Sequence, residues 1–222
     1  CLRYGISICV AGATSSGKTT LAGWLLTTIP DGKRIFTIEN GSRELALVRE
    51  KDGKVTNSVI HTLTRYSENE KQNIDQDMLL DMALRFNPEI ICVGEMRSSE
   101  AYTAQESART GHTVLTTIHS NSCESTYSRM RTLCKRKYDM DDEVLMDLVT
   151  EAFPIVVFTK QLENRKRKLM EIMECEITAD GKRKFNPLYR YEITENRMEG
   201  DRFIINGTHK TVSYTHLRAH ET

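Results

Sequence analysis

Hydrophobic positions along the chain change period several times, and each change marks a predicted element. The apolar run at residues 6–12 reads as a strand buried on both faces, and a helix is expected from about 17 to 29. A strand ending at Glu39 comes next, then a second over 44–49, a turn at Gly53 and a β-branched, extended segment over 55–65. The period then becomes helical. Asn73 can cap a helix on which Met78, Leu79, Met82, Ala83 and Phe86 form one stripe, and Pro88 stops it. Residues 89–93 read as another short buried strand, 98–109 as a helix, 113–119 as a strand, and 124–137 and 141–152 as helices. From Pro154 an apolar run, a polar turn and a second apolar run predict a hairpin, with one more strand near 188–193. The basic run Arg165 to Lys168 reads as its solvated turn. This alternation predicts an α/β fold: a central, mostly parallel sheet flanked by helices, with a C-terminal β-hairpin region.

Composition narrows the class without naming a chemistry. The 222 residues suffice for one principal domain, and 39% hydrophobic with 28% charged residues excludes disorder and fibrous repeats. Lys plus Arg and Asp plus Glu balance at 31 each, so no global field draws the chain to nucleic acid. The six cysteines form no CxxC pair, which leaves reduced, mostly buried thiols as the expectation. No apolar run approaches the roughly 20 residues that span a bilayer, and no signal segment opens the chain, so a cytoplasmic protein is expected. Starting at Cys1 directly before a strand pattern, the chain reads as a fragment whose N-terminal domain is missing. Residues 212–222 read as a non-native, adapter-derived tail, so the i, i+4 pair His216 and His220 is set aside as a metal site.

The chemistry begins at Gly12. Gly12, Ala13, Thr14, Ser15, Ser16, Gly17, Lys18 and Thr19 satisfy G-x-x-x-x-G-K-[ST] between a predicted strand and a predicted helix, with Thr20 following. The glycines permit a tight loop whose N–H groups surround phosphates at the positive helix end. Lys18 supplies charge at the β and γ phosphates, and the Thr19 hydroxyl is a ligand for magnesium. Glu95, delivered by the buried strand to the carboxyl edge of the sheet, is the acid expected to hold magnesium through water or to orient the attacking water.

Residues 87–122, NPEIICVGEMRSSEAYTAQESARTGHTVLTTIHSNS, are similar to the Walker B and His-box region of type II and type IV secretion ATPases. The ordered set of phosphate loop, IEN at Ile38 to Asn40, GEMR at Gly94 to Arg97 and TGHTVLTTIH at Thr110 to His119 resembles the CpaF-like branch, which serves pilus assembly, conjugation and secretion. The resemblance runs from Arg3 to about Glu176. It implies a RecA-like fold, ATP and Mg2+ as substrate and cofactor, and a homo-hexamer. It further implies inner-membrane platform proteins as partners, with the motor on the inner face of the cytoplasmic membrane. Glu39 and Glu95 match the family's two glutamates, and the choice of general base between them stays open. His112 and His119 match the His box, for sensing the γ-phosphate or contacting a neighbouring subunit. Arg43, Arg65, Arg85 and Arg97 are candidates to meet transition-state charge, with Arg85 and Arg97 at motif positions. Asn40 and Asn87 depart from the acidic and basic residues frequent there. The zinc-binding CxxC pairs of the type II branch are missing. Two other readings follow from the shared architecture: a RecA-like DNA translocase, which the lack of a basic stripe with aromatic stacking residues disfavours, and a noncatalytic scaffold held together by ATP.

Overall fold

Alternate residues of the first strand face two separate cores, and the layering of the molecule follows from that. In β1 (Ile8–Gly12), Ile8 and Val10 pack with Ala22, Leu26 and Ile29 under α1 (Lys18–Thr27), whereas Cys9 and Ala11 pack on the opposite face with Leu79, Leu80, Tyr127 and Phe153. Every residue of β1 is buried, as a strand covered on both sides requires. The computed structural model describes residues 1–213, without the side chain of Glu70. Residues 214–222 of the suspected tail, His216 and His220 among them, lie outside the described residues.

β2 (Arg34–Glu39), a two-strand ribbon of β3 (Glu50–Lys51) and β4 (Lys54–Val55), and β5 (Ser58–Leu63) come next. The chain continues through α2 (Gln76–Ala83), β6 (Ile90–Met96), α3 (Glu100–Arg109), β7 (Thr113–Ile118), α4 (Cys123–Cys134) and α5 (Asp142–Ala152). It ends in β8 (Ile155–Gln161), β9 (Arg167–Ile177), β10 (Arg183–Glu199) and β11 (Arg202–Thr211). One nine-stranded sheet runs β11-β10-β9-β8-β1-β7-β6-β2-β5. From β8 to β5 neighbouring strands are parallel, and from β8 outward to β11 they are antiparallel. The predicted α/β class and the hairpin after Pro154 are therefore present. The parallel order brings the carboxyl ends of β1, β2, β6 and β7 to one edge of the sheet.

Three expected elements differ. Residues 44–49 form no strand, since they pair with no neighbour, yet Leu45 and Leu47 still enter the core beneath α1. Asp75 caps α2 by accepting from the Met78 N–H, while Asn73 accepts from Ser67 N at 2.8 Å. The buried stripe of α2 is Leu79, Leu80 and Ala83, and Met78, Met82 and Phe86 are exposed. The strand expected near 188–193 extends over the whole of β10, with β11 folded back on it. The thiols behave as expected. Cys9, Cys92, Cys123, Cys134 and Cys175 are free and buried, and only Cys1 is exposed.

Candidate active site

The loop from β1 to α1 is shaped by glycine at two points. Gly12 has φ 155°, and a Cβ there would stand 2.3 Å from the carbonyl oxygen of Thr159 on β8. Gly17 takes the left-handed conformation at the start of α1, with φ 97°, which turns the first helical N–H groups outward. Between them Ala13, Thr14 and Ser15 are exposed, and Ser16 is buried. Ser16 Oγ lies 3.0 Å from Thr159 Oγ1, and that hydroxyl also donates to Ala11 O at 3.2 Å. The loop is thus fastened to β8. Lys18 Nζ donates to Ala13 O at 2.9 Å, and burial lowers its pKa, with Glu95 opposing and Arg97 adding to the shift.

Glu39 ends β2 and is buried. Its Oε2 accepts from the N–H groups of Glu44 and Leu45 at 2.6 and 2.9 Å, and Oε1 accepts from Thr37 Oγ1 at 3.4 Å. Register pairs Ile38 of β2 with Val93 of β6, which sets Glu39 beside Gly94. A Cβ on Gly94 would already lie 3.2 Å from Ile38 O, so the small residue allows the two strand ends to meet closely. β6 bulges against β7 between Val93 and Met96, and this turns Glu95 into the same edge. Glu95 Oε2 accepts from Arg97 Nη2. His119 Nε2 stands 2.8 Å from Glu95 Oε1, so each oxygen of this carboxylate meets one exposed side chain. Thr19, Glu39, Asn40, Glu95 and Arg97 line one cleft of about 90 Å³.

The structure thus brings together the phosphate loop, Thr19, Glu39, Glu95, Arg97 and His119. It separates two others. His112 precedes β7 and lies at the amino edge of the sheet, a strand length of roughly 20 Å from the phosphate loop. There His112 Nδ1 meets Pro88 O at 2.9 Å. Arg85 lies in a 3-10 turn before β6, at that same far edge, and is exposed. Neither reaches the phosphate loop of its own chain. Arg43 and Arg65 are exposed near the carboxyl edge, outside the cleft.

Sequence reasoning missed three residues. His61 of β5 faces β2, with Nδ1 2.9 Å from Thr37 Oγ1 and 3.6 Å from Glu39 Oε1. Thr159 holds the loop from β8. Arg167, taken as part of a solvated turn, donates from Nε to Ser15 O at 2.7 Å. A histidine inside a β-branched strand and a basic run directly after a strand were the available signals, and neither identifies its partner.

The family model described as Type II/IV secretion system protein matches residues 3–220. The chain is 27% identical to protein VirB11 of Agrobacterium tumefaciens over 190 residues, 83% of this chain and 51% of that protein. It is 31% identical to the type IV secretion system protein PtlH of Bordetella pertussis over 177 residues, 77% of this chain and 50% of that one. It spans about half the length of these relatives. The VirB11 ATPase of the Brucella suis type IV secretion system, solved with sulphate, superposes with a TM-score of 0.66 at 27% identity, covering 78% of this chain and 49% of that one. The pilus retraction motor PilT with bound ADP superposes with a TM-score of 0.52 at 21% identity, over 84% of this chain and 48% of that one, a likeness of fold.

Proposed function

This chain belongs to the type II/IV secretion system protein family, and we propose that it is the ATP-hydrolysing motor domain of such a system. In this reading it works as a homo-hexamer against platform proteins on the inner face of the cytoplasmic membrane. Among the described residues no helix is long and apolar enough to cross a membrane. The observation that carries the reading is the meeting of Lys18, Thr19, Glu39 and Glu95 at the carboxyl edge of one parallel sheet, where α/β folds take their ligands.

The loop fits a polyphosphate. The loop runs into a helix start, and Lys18 can exchange its bond to Ala13 O for a phosphate oxygen. The residues also fit Mg2+, a hard cation that prefers oxygen: Thr19 with its hydroxyl and Glu95 with its carboxylate line the same cleft and would hold it. Among the described residues no three His, Cys, Asp or Glu side chains cluster as a metal centre. When bound, the ion would supply positive charge against the phosphate oxygens.

Glu95 is the better placed of the two acids to orient the attacking water, because its oxygens meet only two exposed side chains, Arg97 and His119, and no backbone donor. Glu39 has both oxygens met by donors and instead fixes the 44–45 backbone at the cleft wall. Arg97 meets one oxygen of Glu95, and His119 stands where it can respond to a change there. Arg85 and His112, at the far edge, act in this reading across a subunit boundary. Lys18→Ala should abolish ATP turnover in the 222-residue chain, a loss of at least ~10²-fold in kcat/KM. Undiminished turnover would sink the assignment, and ATP binding without turnover in the unaltered protein would point to the scaffold reading.

A further inference from the structure

We propose that Arg167 is a nucleotide-binding residue that takes the inner, α-phosphate end of the bound nucleotide from outside the phosphate loop. The assignment rests on the ATP reading above and extends it to an element the loop motif does not include.

Arg167 is held by a rigid turn. It opens β9 opposite Gln161 of β8. The turn between the strands is closed by Leu162 N donating to Lys166 O at 2.9 Å and Arg165 N to Leu162 O at 2.8 Å, with Arg165 in the left-handed region at φ 61°. Asn164 Oδ1 accepts from Lys166 N at 3.1 Å, and Asn164 Nδ2 donates to Ile205 O of β11 at 3.3 Å. Side chains alternate along a strand, and the basic run splits accordingly. Lys168 leans over the Tyr191 ring, its Nζ 5.1 Å from the centroid, while Arg167 turns to the phosphate loop.

The contact with the loop leaves the guanidinium fork free. Only Nε is engaged, by Ser15 O, and the Cδ lies 3.3 Å from where a Cβ on Gly17 would stand. The absence of a side chain at Gly17 lets the stem lie flat against the loop. Among the described residues no carboxylate pairs with Arg167, and neither Nη atom has a partner. Ser15, Ser16, Gly17, Lys18, Thr19, Thr20 and Arg167 together line a polar cleft of about 190 Å³. Its lining includes two cations and no acid, which suits an anion.

Position selects which part of the nucleotide is met. The acidic cleft with Glu39 and Glu95 opens on one flank of Thr19, and that flank suits the terminal phosphate and the attacking water. Arg167 is against Ser15 and Gly17, in a second cleft that Thr19 and Thr20 also line. A phosphate loop surrounds the α and β phosphates with its backbone and reaches the γ-phosphate through its lysine. A planar fork in this second cleft therefore faces the inner phosphates, which ATP and ADP share, and binds them through paired charge-assisted N–H donors.

Equilibrium binding of ADP and of a nonhydrolysable ATP analogue to the 222-residue chain, by calorimetry with Mg2+ present, tests this. Arg167→Gln should weaken both ligands by the same factor, about tenfold, and Arg167→Lys, which keeps the charge but loses the fork, should fall between. The ligand-free melting temperature of each variant reports a merely structural role. Unchanged ADP affinity in Arg167→Gln, with normal binding by the unaltered protein, overturns the assignment alone. So does a loss confined to the ATP analogue, or one matched by an equal loss in Arg167→Lys and a lowered melting temperature in both. Failure of the unaltered protein to bind ADP overturns the nucleotide reading itself.

Discussion

Glu39 and Glu95 carry the same functional group but differ in what meets their oxygens. Glu39 Oε2 accepts two backbone N–H groups, and Oε1 takes the Thr37 hydroxyl. A carboxylate so used is a fixture of the backbone, and exchanging it for an amide places an N–H against existing donors. Glu95 has Arg97 on one oxygen and His119 Nε2 2.8 Å from the other, both of them exposed side chains. Glu95→Gln is therefore expected to lower kcat by ~10² or more with ATP affinity changed only a few-fold. Glu39→Gln should mainly lower the melting temperature, by several degrees for the ~1–3 kcal/mol that a buried unsatisfied group costs. Steady-state kinetics alongside thermal melts separate the two, and a larger kcat loss in Glu39→Gln would reverse the assignment of roles.

Pairing of β2 with β5 brings His61 against this fixture. Burial, first, and then Arg43 push the His61 pKa below its ordinary 6.5, while Glu39 pulls it back up. Its Nε2 is buried with no partner among the described residues, which favours the neutral ring. The unfolded chain therefore takes up this proton first as pH falls. The stability linked to His61 is complete above about 6.5 and is lost as pH drops toward the lower folded value. The melting temperature should fall more steeply as pH drops below about 6.5 in the unaltered protein than in His61→Gln, and parallel curves would remove His61 as the cause. None of this was legible in the sequence, where His61 is one polar position in an extended run. The phosphate loop was legible because glycine spacing, Lys18 and Thr19 act locally, and the strands before Gly12, Glu39 and Glu95 were legible because a doubly covered sheet demands continuous apolar runs. Residues 44–49 misled because Leu45 and Leu47 alternate like a strand while their backbone serves Glu39 instead of a neighbouring strand. Pairings across the fold, such as Thr159 with Ser16 across 143 positions, leave no local trace.

Across the whole molecule, stability is concentrated where both faces of the sheet are covered. The central strands β1, β6 and β7 bury nearly every side chain between α1 on one side and the layer of α2, α3, α4 and α5 on the other. The outer hairpin differs. β9 pairs with β10 only as far as Arg190, so beyond it β10 and β11 bond chiefly to each other, and Met198 and Phe203 are exposed near its end. Only Leu162, Tyr191 and Ile205, with Met170 against them, form a small core at its base. That core also receives the Asn164 bond from the turn that presents Arg167, so the hairpin base supports the phosphate loop while its tip does not. Opening the tip exposes little apolar surface and should cost far less than global unfolding. Native-state hydrogen exchange should therefore find the amides of 195–206 exchanging well before those of 8–11, 90–93 and 114–118, with the 189–193 segment between. Nucleotide should slow exchange in 13–20 and at 162–168 together, because the loop and the turn share the Arg167 contact. Protection confined to 13–20 would mean that the hairpin does not respond to what the loop binds.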